Sequence, residues 1–201
     1  MNNILSILNN FYDMNFTDIS KIRDAGSVSY TVYSGSLRYF LRVIKPSFID
    51  TAFSGANIQA FLCSKGFPVP PIIYTKDNQP CIRTDNGLFI LYEFIEGKDS
   101  NPEQDAKAIG ELIGRLHNTM KNYTGELKDC DRQFYIVRYI DILKRKQYPK
   151  TDEFVTYGNT LWDSVKDLPR GYCHGDMYDG NIYKTSDRKF YILDFYTSCY
   201  G

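Results

Sequence analysis

The chain has 201 residues, 43% of them hydrophobic, and its 24 Lys and Arg balance its 24 Asp and Glu. A chain of this size and composition can bury a core in one domain or in two small lobes. The balanced charge argues against the basic footprint of a nucleic-acid-binding protein, and no apolar run approaches the length that spans a bilayer. We therefore expect no nucleic-acid and no membrane partner, and the sequence predicts no particular oligomeric state.

The cysteines and the amino-terminal segment predict a cytoplasmic location. The five cysteines are odd in number, spread along the chain and without a Cys-x-x-Cys pair, so neither a zinc site nor a redox pair is indicated. Reduced thiols in a cytoplasm are the simplest account. Residues 1–12 lack the basic start and the cleavage site of a signal peptide, and their apolar pattern predicts an amphipathic helix instead.

The first half of the chain then predicts an antiparallel sheet with one helix. Residues 22–33 alternate like a strand, a turn and a strand, and a turn at 34–36 leads into a strand over 37–44. A short helix is predicted over 56–64, because Gly66 and several prolines follow it. Three more strands are predicted over 69–75, 79–84 and 88–95, the last of them ended by Gly97.

The second half is mainly helical. A helix is predicted to begin near Asn101, which can cap it, with Pro102 at the first helical position. Its buried stripe is predicted to comprise Ile109, Leu112, Ile113, Leu116 and Met120. Two further helices are predicted over 134–146 and 152–168. The pattern predicts an α+β fold with an amino-terminal lobe over residues 1–97 and a mainly helical carboxy-terminal lobe over residues 98–201.

The most informative segment follows Gly171. It contains His174-Gly175-Asp176, then Asn181, then Asp194 at the end of an apolar run. The spacing from Asp176 to Asn181 equals the Asp-to-Asn spacing of a kinase catalytic loop. Residues 182–183, 185–189 and 190–193 read as a strand, a turn and a returning strand, which places Asn181 and Asp194 close together at the ends of one hairpin.

These residue types suit phosphoryl transfer, which depends on positioning and charge neutralisation. The carboxylate of Asp176 can accept or orient the proton of an attacking hydroxyl. Asn181 and Asp194 offer the oxygen ligands that Mg²⁺ prefers, few of which come from protein. Each Asp alone could equally be an ordinary turn former, but three matches at set spacing favour the chemical interpretation.

On His174-Gly175-Asp176, Asn181 and Asp194, the chain resembles the aminoglycoside phosphotransferase and choline kinase family, which has a protein-kinase-like fold. The resemblance covers nearly the whole chain and is specific between Cys173 and Phe195. It implies a two-lobed fold that binds ATP or GTP in the cleft and transfers the terminal phosphoryl group to a hydroxyl of a small molecule. It also implies that Asp176 is the catalytic base and that Asn181 and Asp194 bind Mg²⁺.

The same resemblance implies a nucleotide site on the amino-terminal lobe. Gly26, Ser27 and Ser29 lie where the family has its phosphate-covering loop, although one glycine fits an ordinary hairpin turn equally well. The backbone near Glu93 and Ile95 matches the hinge that bonds the purine edge, and an ordinary strand and turn would have the same residue types.

The cation site departs from the family pattern. By register, Arg42 stands where the family usually has Lys, and we favour it over Lys45, which lies at the end of the strand. The family also orients this cation with a Glu on the next helix, but no Glu occurs between Lys45 and Gly66. Either a neutral amide, Asn57 or Gln59, orients Arg42, or the pair is missing.

The chain ends at Gly201, soon after Asp194, whereas the family continues with a helical region that closes the substrate pocket. We therefore expect a fragment, a truncated gene product or a minimal form that lacks this region. Two functions stay open: an ATP-dependent kinase acting on an aminoglycoside, choline or a similar amino alcohol, and a non-catalytic kinase-like protein or inactive fragment that binds a nucleotide or a partner. A metal-dependent hydrolase built on His174 and Asp176 is disfavoured, because the chain has only two histidines.

Overall fold

The protein is described here by a computed structural model covering residues 2–201, and its chain forms two compact units. The first unit comprises the residues up to Glu126 together with His174–Thr197. The second comprises Leu127–Cys173 together with Ser198–Gly201. Within residues 2–201, no helix is both long enough and apolar enough to cross a membrane. The lobes over 1–97 and 98–201 stay a prediction.

The first unit opens with helix α1, Asn2–Phe11, which confirms the amphipathic helix except at Met1, which lies outside the described residues. A five-stranded antiparallel sheet follows, and helix α2, Ile49–Ser64, connects its third and fourth strands. The strands are β1 (Asp18–Asp24), β2 (Ser27–Ser34), β3 (Leu37–Ile44), β4 (Ile82–Thr84) and β5 (Gly87–Glu93). They lie in the order β1-β2-β3-β5-β4.

The two faces of this sheet bury different cores. Along β5, Phe89 and Leu91 pack in the core that contains residues of α1, whereas Leu88 and Ile90 pack in the core that contains residues of α2. This alternation follows from the two-residue repeat of a strand. All seven residues of β5 except Glu93 are buried, as expected for a strand covered on both faces.

Strand β3 shows the same alternation, and this decides where Arg42 points. Leu41 belongs to the core on the α1 side, and Ile44 belongs to the core on the α2 side. Arg42 shares the parity of Ile44, so its side chain leaves the sheet on the face covered by α2. The face of β3 predicted for Arg42 is confirmed.

The rest of the first unit comprises β6, α3 and the hairpin of β9 and β10, and β9 lies between β10 and β6 in a small sheet. These elements are β6 (Lys98–Asp99), α3 (Pro102–Met120), β9 (Ile182–Lys184) and β10 (Phe190–Ile192). Asn101 caps α3 as predicted, since its side chain accepts hydrogen bonds from the backbone N–H groups of Glu103 and Gln104. Leu112, Leu116 and Met120 are buried along this helix.

The second unit has two α-helices and one small sheet in the order β7-β11-β8. Its elements are β7 (Lys128–Asp129), a π-helical turn (Gln133–Val137), α4 (Arg138–Arg145), α5 (Thr151–Val165), β8 (Tyr172–Cys173) and β11 (Cys199–Tyr200). The π-helical turn and α4 together occupy the range predicted as one helix over 134–146. Strand β11 pairs with β8 antiparallel and with β7 in parallel.

Two predicted strands differ from the structure, and prolines explain the first difference. The strand predicted over 69–75 is reduced to a single bridge between Ile72 and Tyr92. Three prolines stand at 68, 70 and 71, and each lacks the N–H that a ladder requires. The strand predicted over 79–84 forms only as β4, and α2 begins at Ile49, earlier than the predicted 56. The α+β class, with an antiparallel sheet followed by helices, is confirmed.

Candidate active site

The predicted hairpin forms and brings Asn181 close to Asp194. Strands β9 and β10 pair antiparallel, with Ile182 opposite Ile192. One step beyond this pair, the N–H of Leu193 donates to the carbonyl of Asn181 at 2.9 Å. Asn181 therefore lies before the first strand and Asp194 directly after the second, as the spacing predicts.

Asn181 also holds Asp176. Its Nδ2 donates to the backbone carbonyl of Asp176 at 2.8 Å and to the Oδ2 of the same residue at 2.9 Å. Asn181 is buried, whereas Asp176 is exposed, so the anchor is rigid and the carboxylate faces solvent. The predicted base is thus fixed by one of the two predicted metal ligands.

Gly175 permits the tight path of the loop next to Asp176. Its φ is 83°, in the left-handed region that favours glycine. A Cβ at this position would overlap the backbone carbonyl oxygen of Thr197. The hydroxyl of Thr197 in turn donates to the carbonyl of His174 at 3.1 Å, so the two chain segments are in direct contact here.

His174 acts as a structural anchor within the loop. Its Nε2 lies 2.9 Å from the carbonyl of Leu193, which can only accept, so Nε2 carries the proton. Its Nδ1 accepts from the N–H of Asp176 at 3.3 Å. The second contact needs an unprotonated Nδ1 and therefore the neutral ring, and burial lowers the pKa of His174 despite the opposing effects of the Leu193 carbonyl, Asp194 and Asp176. Since both ring nitrogens already have protein partners, His174 is not arranged as a metal ligand.

This arrangement predicts a loss of stability on mild acidification. Because the pKa of His174 in the folded chain lies below its unfolded value of about 6.5, the unfolded chain binds more protons in the interval between the two. The free energy of unfolding should therefore be constant above that interval and fall as the pH drops through it. Urea titrations between pH 7.5 and 5.5 would measure the fall, which His174→Asn should reduce. An equal fall in both proteins would contradict this assignment.

Arg42 contacts the third predicted residue, Asp194. Its Nη2 lies 2.9 Å from Oδ2 of Asp194, and its Nε donates to the hydroxyl of Ser27 at 2.8 Å. The side chains of the ion pair are only 23% and 25% exposed. Burial lowers the pKa of Arg42, but Tyr196 and Asp194 outweigh it, so the pKa lies above its ordinary value and the charge is permanent.

Lys45, the alternative cation, serves the β1–β2 turn instead. Its Nζ donates to the carbonyl of Ala25 at 2.8 Å and lies 3.6 Å from Asp24. Next to this turn, Gly26 has open space where a Cβ would stand. A phosphate could approach the backbone of Gly26 closely. An ordinary hairpin turn would have the same open space. Ser27 and Ser29, which were predicted to lie in the loop between two strands, belong to β2 instead, and Ser29 lies opposite Arg42 in the pairing of β2 with β3.

The predicted hinge lies at the end of β5. The N–H of Glu93 already donates to the carbonyl of Pro71 at 2.9 Å. The Glu93 carbonyl and the Ile95 N–H are then the groups available to a purine edge. Arg38 braces the following residues, since it pairs with Glu96 at 3.2 Å and stacks 4.4 Å above the ring of Phe94.

Neither amide proposed as a substitute for the helix Glu contacts Arg42. Gln59 donates to the carbonyl of Pro70 at 2.7 Å, and Asn57 lines an open cavity of about 550 Å³ beside Phe53 and Tyr123. The idea that a neutral amide orients Arg42 is therefore wrong.

Two tyrosines that the sequence reasoning overlooked lie beside Arg42. The guanidinium stands 4.4 Å from the centre of the Tyr196 ring, and the hydroxyls of Tyr196 and Tyr92 are 3.3 Å apart. One signal was present in the sequence, because Tyr196 stands only two positions after Asp194.

Asn181 and Asp194 fit a divalent cation by the chemistry of their donors. The Nδ2 of Asn181 is engaged by Asp176, so its amide oxygen is the atom suited to a metal. Arg42 contacts one carboxylate oxygen of Asp194, and the other is the candidate ligand. Two hard oxygens from protein, with phosphate and water for the remainder, match what Mg²⁺ prefers.

Comparison with solved structures identifies the fold. An amicoumacin kinase in complex with AMP-PNP, Ca²⁺ and Ami has a TM-score of 0.71 at 16% identity and covers 100% of this chain and 65% of its own. A spectinomycin phosphotransferase in complex with ADP and spectinomycin has a TM-score of 0.67 at 17% identity and covers 99% of this chain and 69% of its own. These likenesses confirm the predicted protein-kinase-like fold.

Sequence comparison identifies the family. The homoserine kinase of Zymomonas mobilis is 24% identical over 149 residues, which is 69% of this chain and 46% of that protein. The chain spans about half the length of the curated homoserine kinases it matches. The model of the phosphotransferase enzyme family matches residues 19–201. Because that match extends over most of the sequence and includes every residue of the candidate site, the chain belongs to the phosphotransferase enzyme family.

Proposed function

We propose that the chain transfers the terminal phosphoryl group of ATP, or of GTP, to a hydroxyl of a small molecule. The observation that carries the proposal is an unbroken series of contacts. Asp176 is held by Asn181, the carbonyl of Asn181 is bonded to the residue before Asp194, and Asp194 pairs with Arg42. A base, two oxygen ligands and a cation are the parts that phosphoryl transfer requires.

Asp176 is the proposed catalytic base. Its exposed carboxylate is fixed through Oδ2 by Asn181, and it accepts the proton of the attacking hydroxyl. The loop behind it is held by His174 and Gly175, so the carboxylate needs little reorganisation when the acceptor binds.

The nucleotide would lie against the sheet of the first unit. Arg42 pairs with its phosphates, the backbone around Gly26, Ser27 and Ser29 covers them, and the Glu93 carbonyl and the Ile95 N–H bind the purine edge. Mg²⁺, when bound by Asn181 and Asp194, neutralises phosphate charge. The Ca²⁺ ion and the nucleotide analogue in the amicoumacin kinase structure support the use of a divalent ion and a nucleotide.

The acceptor is proposed to be an alcohol that also carries an amine. Three of the curated relatives are homoserine kinases, and one structural neighbour is a complex with spectinomycin; homoserine and spectinomycin both combine amine and hydroxyl groups. An aminoglycoside, choline, homoserine or a similar amino alcohol therefore forms the class to test. A cytoplasmic location is proposed with it, because ATP is supplied there and the odd, scattered cysteines suit a reducing compartment.

A direct test is to measure ADP release and to detect the phosphorylated product with a panel of these acceptors, with and without Mg²⁺. We expect Mg²⁺-dependent turnover that requires one acceptor of the panel. Calorimetry with ATP in the same buffer gives a separate reading of nucleotide binding. Binding without turnover on any acceptor would support the non-catalytic alternative, which Arg42 in place of the family's Lys and the absence of a Glu in α2 favour. Absence of both binding and turnover would contradict the kinase and a nucleotide-binding role alike, and would favour a partner-binding protein or an inactive fragment.

A further inference from the structure

Helix α2 gives Arg42 no carboxylate partner. Asp50 is the only acidic residue of α2, and it lies in the first turn, where it pairs with Arg83 at 3.1 Å. Its side chain is 92% exposed, which places it in solvent, away from the buried face of the helix. The orientation of Arg42 therefore depends on other groups.

Three groups hold the guanidinium from different sides. Ser27 accepts from Nε, Asp194 accepts from Nη2, and the ring of Tyr196 lies 4.4 Å from the guanidinium carbon. Ser27 and Asp194 accept from N–H groups of the guanidinium, whereas the guanidinium carbon lies over the ring of Tyr196. A planar guanidinium can use its edge and its face at once, and an ammonium cannot.

Tyr196 is itself held by α2 and by β5. A Cβ on Gly55, which is buried in the middle of α2, would lie 2.6 Å from Cδ1 of Tyr196 and 3.0 Å from the backbone of Phe195. On its other side, the hydroxyl of Tyr196 lies 3.3 Å from that of Tyr92. A glycine in a helix interior costs about 1 kcal/mol relative to Ala, and the space needed by Tyr196 explains why one is tolerated here.

We propose that Tyr196, packed on Gly55 and joined to Tyr92, is the positioning residue that orients Arg42 toward the nucleotide phosphates in place of a helix carboxylate. This inference rests on the proposed function. An aromatic face attracts a cation without neutralising it, so Tyr196 orients Arg42 without adding a second carboxylate to compete with phosphate. The contact between Arg42 and Tyr196 would then replace the Lys–Glu pair of the family, because only a planar guanidinium can stack on the ring.

The test compares Tyr196→Leu, which removes the ring, with Tyr196→Phe, which keeps it. We expect Tyr196→Leu to raise the Kd and the KM for ATP about tenfold, which corresponds to 1.4 kcal/mol. The KM for the acceptor should stay unchanged in both variants, and Tyr196→Phe should retain most of the wild-type affinity for ATP. If both variants lose affinity for ATP and acceptor alike, Tyr196 only supports the fold and the inference is overturned.

Two further variants address the mechanism without removing the ring. Gly55→Ala should weaken ATP binding by displacing Tyr196, whereas Gly114→Ala, at an exposed helix position with open space, should not. In a cycle of Arg42→Lys with Tyr196→Leu, the double variant should lose no more ATP affinity than Arg42→Lys alone. If the wild type binds ATP and the two substitutions lower its ATP affinity additively, the inference alone is overturned. If the wild type binds no ATP, the proposed function is overturned as well.

Discussion

Asp176→Asn is expected to lower kcat about a thousandfold, the middle of the range for loss of a general base. Asn at 176 keeps an oxygen that can accept from Nδ2 of Asn181, so the loop should retain its shape. The amide cannot accept the proton of the attacking hydroxyl. The change should therefore appear in kcat, and the affinity for ATP should be preserved.

Steady-state kinetics and calorimetry on the same preparation would separate these two quantities. The matched control is Asp179→Asn, which removes an exposed carboxylate from the same loop. Equal losses in the two variants would show that loop charge, and not the base, accounts for the effect. Unchanged kcat in Asp176→Asn would exclude Asp176 as the base.

Gly175→Ala is expected to lower the free energy of unfolding by about 3 kcal/mol or more. Two penalties add at this position, a φ of 83° that L-residues rarely adopt and overlap of the new Cβ with the carbonyl oxygen of Thr197. The overlapping group is backbone, so no side chain can rotate to relieve it. Because Gly175 lies between His174 and Asp176, the loop should lose its shape along with its stability.

Thermal unfolding followed by circular dichroism would measure the loss as a drop in Tm. Gly114→Ala is the matched control, since the same substitution there meets open space and improves helix propensity by up to about 1 kcal/mol. A Tm for Gly175→Ala equal to that of the control would contradict the steric explanation.

The hairpin of β9 and β10 could be predicted from the sequence because its determinants are local. The spacing of Asp176, Asn181 and Asp194 and the turn between two short apolar runs specify the geometry within one segment of chain. The α3 cap at Asn101 is local in the same sense. The strand predicted over 69–75 failed although its cause, the run of prolines, was also visible in the sequence.

The surroundings of Arg42 could not be predicted in this way. The register of β3 gave the correct face, and Ser27 comes from the neighbouring strand, but Asp194 and Tyr196 come from a distant part of the chain. The missing Glu suggested a substitute side chain on the same helix. Instead, Gly55 of this helix leaves space for the ring of Tyr196. The pairing of β8 with β11, which places Cys173 opposite Cys199, was likewise not predicted.

That pairing also joins the two ends of the segment that carries Asp176, Asn181 and Asp194. The entropy lost on closing a loop grows only with the logarithm of its length, and the segment between these paired ends is short. Arg42, by contrast, reaches Asp194 across 152 positions of chain. The acidic and amide groups can therefore meet through nearby chain folding, whereas the guanidinium joins them only once the amino-terminal sheet is complete. If the amino-terminal sheet alone unfolded, Asn181 could still hold Asp176, whereas Asp194 would lose its ion pair with Arg42.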